Sequence, residues 1–143
     1  MKTNSAFWDT SAIVPLCCQQ DASQRLRSVY RQSKIVVWWG ASIEAYSALS
    51  RLRVDGVLTA HVYASAQNRL AQLKLTWREV LPVERVREIA EETTRTQNLR
   101  TLDSMQLAAA LVWCQEKPKG RVFVCLDIKL ATIAKNQGFS ILP

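Results

Sequence analysis

Histidine is almost missing from this chain of 143 residues: His61 is the only one. Chemistry that needs two imidazoles, one as acid and one as base, is thereby excluded, and a Ser-His-Asp triad is excluded unless His61 serves. His61 lies beside Val62 within an apolar-faced helical stretch, where a structural role is expected. Glycine-rich phosphate loops are missing too, since neither GxGxxG nor GxxxxGK[ST] occurs, which disfavours nucleotide cofactors. The four cysteines, Cys17, Cys18, Cys114 and Cys125, form no CxxC pair and have no histidine companions of the kind a zinc site wants. They read as small buried hydrophobes in a reducing compartment. No apolar run approaches the ~20 residues that span a bilayer, so no membrane partner is expected. Met1-Lys2-Thr3-Asn4-Ser5 leads directly into strand-like sequence with no apolar signal region, and the cytoplasm is the expected location.

What is present bounds the answer further. A length of 143 residues suits one domain, taken as 1–143, with enough apolar residues for a core without staples. The formal net charge of +7 suits an anionic partner such as nucleic acid, an acidic protein segment or a membrane surface, and is equally compatible with a merely basic protein.

Along the chain, strands alternate with helices. Asn4 to Trp8 reads as a first strand ending at Asp9, followed by a helix over Ser11 to Cys18 that Pro15 weakens. Asp21 is placed to cap a helix through Leu26, Val29 and Tyr30. Ile35-Val36-Val37-Trp38 reads as a buried parallel strand broken by Gly40. Helices are predicted over Ala41 to Arg53 and Thr59 to Lys74, packed as a pair, the second with Val62, Ala66, Leu70 and Leu73 on one face. Pro82 opens a helix with Val83, Val86, Ile89 and Ala90 buried and a solvated face of Glu84, Glu88, Glu92, Arg85 and Arg95. Leu99 to Trp113 is helical, with Leu102, Met105, Ala109 and Val112 in phase. After a turn at Lys117-Pro118-Lys119-Gly120 come a strand over Val122 to Leu126, a helix over Ile128 to Gln137 closed by Gly138, and a last strand over Ser140 to Leu142. This order predicts an α/β fold, a three-layer α/β/α sandwich around a mostly parallel sheet.

The candidate chemistry is acidic. Asp9 follows the first strand, Glu44 lies early in the helix after the second, Asp103 lies in the first turn of the Leu102 helix, and Asp127 follows the Val122 strand. Each alone is most simply a helix cap. Together they converge, because the carboxyl ends of parallel strands share one edge and ligands bind in the crevice beyond it. Clustered carboxylates resist joint ionisation unless they bind a cation, and oxygen donors suit Mg²⁺ or Mn²⁺. Such an ion in a basic protein points to phosphodiester chemistry, with lysines and arginines holding the polyanion.

With these residues assembled, the chain resembles the PIN-domain family, and within it the VapC toxins of bacterial toxin–antitoxin pairs. The matching motifs are Asp9-Thr10-Ser11-Ala12, then Trp38-Trp39-Gly40 with Glu44 and Ser47-Ala48-Leu49, then Leu99-Arg100 with Asp103 and Gln106-Leu107-Ala108-Ala109-Ala110, then Cys125-Leu126-Asp127 with Leu130. The resemblance implies a Mg²⁺- or Mn²⁺-dependent endoribonuclease acting on RNA such as transfer RNA, silenced by a cognate VapB-like antitoxin and commonly homodimeric. It implies Asp9, Glu44, Asp103 and Asp127 as the catalytic and metal-holding acids, with Ser11 a supporting hydroxyl. Cys125 departs from the family, whose members often carry Thr or Ser there, and a lost hydroxyl weakens support for the site. Ser104 in place of the more usual Ala looks harmless.

Two other classes compete. One is a non-catalytic PIN-like module that binds an antitoxin or nucleic acid through its basic surface. The other is a phosphotransfer or phosphatase domain built on Asp9, which the missing DxDx[TV] arrangement disfavours. Among the tryptophans, Trp8 and Trp38 are expected in the core, whereas Trp39 is open between core packing and contact with RNA or antitoxin.

Overall fold

The structure, a computed structural model, describes residues 4–143. Its central strand is β1 (Asn4–Trp8), with β2 (Ser33–Trp38) and then β3 (Arg78–Val80) on one side, and β4 (Val122–Val124) and then β5 (Ser140–Leu142) on the other. All four pairings are parallel; Phe7, for example, sits opposite Val36 on β2 and Phe123 on β4. The helices are α1 (Thr10–Cys17), α2 (Ser23–Gln32), α3 (Ala41–Val54), α4 (Ala60–Lys74), α5 (Glu84–Gln97), α6 (Thr101–Trp113) and α7 (Ile128–Gln137).

Period-two alternation along each strand feeds two cores. Ala6, Trp8, Ile35, Val37 and Val124 face a layer that includes Ile13, Leu26, Leu49 and Leu70 from α1 to α4. Phe7, Val36, Trp38 and Phe123 face the opposite layer, with Val86, Leu107 and Leu130 from α5 to α7. Because both faces are covered, the central strands read as unbroken apolar runs. The result is the α/β/α sandwich expected from the sequence, with a sheet that is parallel throughout.

Several local expectations are corrected. β3 lies outside every predicted strand: Arg78-Glu79-Val80 is a short charged edge whose stability comes from pairing with β2. Asp21 does not cap α2; Ala22 holds the cap position, and Ser23 organises the turn by accepting from the Gln20 N–H and donating to the Pro15 carbonyl. On α6 the buried face is Ser104, Leu107, Ala108 and Leu111, while Leu102 is 53% exposed. That helix is enclosed by the sheet, α5 and α7, so its single predicted stripe names one edge of a nearly all-round contact. Val62 and Val83 are likewise exposed at helix N-termini.

Gly40 links β2 to α3 where a side chain has no room, because a Cβ there would stand 2.6 Å from Trp38 Nε1. Among the described residues, no helix is long and apolar enough to cross a membrane.

Candidate functional site

The chain runs from β1 to β2 on one side of the sheet and later enters β4 on the other, so the switch in strand order falls beside β1. Asp9 stands at that point. Its backbone is still extended and its N–H donates to the Val124 carbonyl at 3.0 Å, which continues the β1–β4 ladder by one bond. Its side chain caps α1: Oδ2 accepts from the Ser11 N–H at 3.2 Å and from Ser11 Oγ at 2.6 Å. Ser11 Oγ in turn accepts from the Leu126 N–H at 3.0 Å, so one hydroxyl ties the loop after β1 to the loop after β4. Asp9 is only 5% exposed. Burial pushes its pKa up, Ser11 pulls against that shift, and the charge of Asp103 adds to it.

Asp127 is also a cap, its Oδ1 accepting from the Leu130 N–H at 2.9 Å at the start of α7, and it is exposed. Between the two caps lies the buried Cys125, whose Sγ is 3.6 Å from Asp9 Oδ2 and 3.4 Å from the Asp127 carbonyl oxygen. Burial and the Asp9 charge push this thiol upward, so it stays protonated and offers Asp9 a weak donor. The position expected to carry a hydroxyl therefore does touch the acid.

Glu44 projects from the first turn of α3 and is half-buried. Its carboxyl is pushed up to about 7, chiefly by burial and then by the charges of Asp9 and Asp103, against hydrogen bonds from Gln106 and Thr10. Gln106 Nε2 donates to Thr10 Oγ1 at 2.9 Å and lies 3.3 and 3.4 Å from the two Glu44 oxygens. Its Oε1 is buried without a partner. Neither Gln106 nor Thr10 is among the site residues expected from the sequence. The available signal is an amide directly before the apolar run Leu107 to Leu111 on the buried side of α6, where an unpaired polar group is costly.

Asp103, in the first turn of α6, is half-buried. Burial raises its pKa, Asp127 repels it further, and Arg100 and Lys129 pull it down. The four acids thus form a chain of charge interactions, Glu44 and Asp9 with Asp103, and Asp103 with Asp127. They do not close into a cage: among the described residues, no group of three or more His, Cys, Asp or Glu side chains is set to hold a metal ion. The donors are nevertheless all oxygen, several have their ionisation opposed by one another, and a buried amide oxygen beside them is unpartnered. That combination fits Mg²⁺, which keeps several waters and takes one or two carboxylates, and does not fit an all-protein cage.

Two cavities flank the N-terminus of α6. The smaller, about 390 Å³, opens beside the acids and is lined by Thr10, Ser11, Glu44, Ser47 and Arg51 with Ile43 and Leu102. The larger, about 690 Å³, lies toward α5 between Trp39, Val83, Val86 and Met105, and none of the four acids lines it. Glu84, Arg87, Glu91 and Arg95 line it as well, but the raised Glu44 carboxyl belongs to the smaller cavity, which makes the acidic edge the candidate site. Trp8 and Trp38 are in the core as expected, whereas Trp39 is 46% exposed at the mouth of the larger cavity, edge-on to Trp38. His61 is exposed on α4 and belongs to neither cavity. All four cysteines are free and buried.

By architecture the chain is an α/β protein with a fully parallel sheet and an acidic carboxyl edge. It matches no protein-family model and no curated protein. Among solved structures it is similar to the crystal structure of PAE2754 from Pyrobaculum aerophilum, with a TM-score of 0.63 over 96% of this chain and 89% of that one, at 18% sequence identity. At that identity the likeness establishes a common fold.

Proposed function

We propose that this chain is a PIN-type, metal-dependent endoribonuclease and the toxin of a toxin–antitoxin pair, working in the cytoplasm. The observation that carries the reading is the group of buried or half-buried acids Asp9, Glu44 and Asp103 beyond the strand ends, each held above its ordinary carboxylate range by burial and by its neighbours. A site arranged so has a use for a divalent cation. Asp9, Asp103 and Asp127, with Glu44, would hold Mg²⁺ or Mn²⁺, directly or through water. The ion supplies activation of water and neutralisation of charge on the scissile phosphate.

The protein's own groups do the rest. Ser11 locks the Asp9 carboxylate by two hydrogen bonds, Gln106 and Thr10 orient Glu44, and Arg100 and Lys129 bring positive charge beside Asp103. The net charge of +7 favours a polyanionic substrate, of which transfer RNA is the candidate. A VapB-like antitoxin and a second copy of the chain are the proposed protein partners. Purified protein freed of antitoxin is expected to cut RNA with Mg²⁺ or Mn²⁺, and Asp9→Asn, which keeps shape and removes charge, to abolish cutting. Equal cleavage by Asp9→Asn would falsify the assignment.

The open spacing of the acids favours one alternative, a non-catalytic PIN-like module that binds RNA or antitoxin by its basic surface. Calorimetry separates the two, since the module takes up no divalent cation.

A further inference from the structure

The cavity of about 390 Å³ beside Glu44 has its own chemistry. One face of α3 supplies Glu44, Ser47 and Arg51 at helical spacing, leading from the acids toward the end of the helix. Arg51 Nη1 donates to Ser47 Oγ at 3.1 Å. Among the described residues no carboxylate lies within ion-pair distance of Arg51, which lines the cavity with guanidinium donors beyond the one given to Ser47. Two exposed apolar side chains complete the lining, Ile43 at 64%, one turn before Ser47 on α3, and Leu102 at 53%, from the first turn of α6. A guanidinium backed by a hydroxyl matches a tetrahedral oxyanion, and paired aliphatic side chains match the flat face of a base.

We propose that this cavity seats one nucleotide of a single-stranded RNA next to the acids, its phosphate on Arg51 and Ser47 and its base between Ile43 and Leu102. The choice of RNA rests on the nuclease reading of the acidic edge. The arrangement also gives direction to the substrate: the strand leaves the acids along α3 and away from the larger cavity.

The test is binding without cutting. Wild-type full-length chain with a chelator is titrated into a labelled single-stranded oligoribonucleotide, and fluorescence anisotropy is followed over a range of salt. Arg51→Gln is expected to weaken binding about fivefold and to make the log–log salt dependence shallower by about 0.7, the value for one lost phosphate contact on a single strand. Ile43→Ser is expected to weaken binding to the oligonucleotide and to leave binding to an abasic strand of the same length unchanged. Arg27→Gln, on α2 and outside the cavity, is the control and should leave affinity within about twofold of wild type. Ile43 and Arg51 are exposed and Arg27 is partly so, its Nη1 reaching only the Gln19 side chain, so the variants are expected to fold. The proposal is overturned if Arg51→Gln keeps wild-type affinity and salt slope, if Arg27→Gln costs as much, or if a polyglutamate peptide competes as well as RNA. Arg51-dependent binding with no cleavage under any divalent metal would sink the nuclease reading and leave the seat standing. Asp9-dependent cleavage with Arg51-independent binding would sink the seat alone.

Discussion

Gln106 Nε2 reaches Thr10 Oγ1 at 2.9 Å across 96 positions of sequence, and through that bond the inner face of α6 meets the first residue of α1. The same amide nitrogen approaches both oxygens of Glu44, so a single buried side chain joins three helices at the acidic edge.

Replacing this amide separates stability from activity. Gln106→Leu fills a similar volume and removes the unpartnered Oε1 with the Nε2 bonds, so stability in urea is expected to change by no more than about 1 kcal/mol. RNA cleavage is expected to fall at least about tenfold, because Glu44 and Thr10 lose the donor they share. A variant that loses much stability and keeps its cleavage would mark Gln106 as core only.

The raised acids make folding depend on pH in a defined sense. Between the ordinary value of 4.5 and about 7, the Glu44 carboxyl keeps its proton in the folded chain and loses it in the unfolded one. Folded protein then binds more protons, and stability falls as pH rises through that window; Asp9 and Asp103, also raised, act in the same direction. In chelator, the thermal midpoint should fall by roughly a few degrees across the window, a modest change because Glu44 is partly solvated. Glu44→Gln should flatten the curve, and a midpoint that rises with pH and ignores this substitution would contradict the account.

A divalent cation should reverse the loss. Mg²⁺ or Mn²⁺ at neutral pH is expected to raise the melting midpoint, with stabilisation of about 2.7 kcal/mol once the ion is at a hundred times its dissociation constant. Asp9→Asn and Asp103→Asn should each remove most of this gain. Calcium-free calorimetry and thermal scans that show no response in wild type would leave the metal reading without support.

Cys125 gives a prediction of opposite sign. Its thiol, 3.6 Å from Asp9 Oδ2, is a weak donor, and a hydroxyl is a stronger one. Cys125→Ser is therefore expected to lower the Asp9 pKa and raise cleavage near neutral pH severalfold, read from the pH profile of the rate. An unchanged profile would show that Ser11 alone sets the carboxylate.

The helices and strands with strong periodicity were legible in the residues. Asn4 to Trp8, Ile128 to Gln137 and Ser140 to Leu142 have the bounds expected of them, and Gly138 closes its helix in the left-handed turn expected of it. β3 was not legible, since a charged edge of three residues has no pattern of its own and exists through its partner. The buried face of α6 was not legible for a related reason: a helix packed on several sides has no single stripe.

At the site, sequence alone determined the inventory: four acids after strand or at helix starts, a hydroxyl beside the first, one histidine and a basic balance. Local chemistry fixes such features, because a cap or a strand end depends on a few neighbouring residues. Tertiary structure decided which of these groups meet. It put Ser11 between two loops, set Gln106 against Glu44, left Asp127 in solvent and stopped the acids short of a closed cage. Those outcomes depend on the twist of the sheet and the tilt of α3 and α6, which sum contacts from the whole chain and are written at no single position.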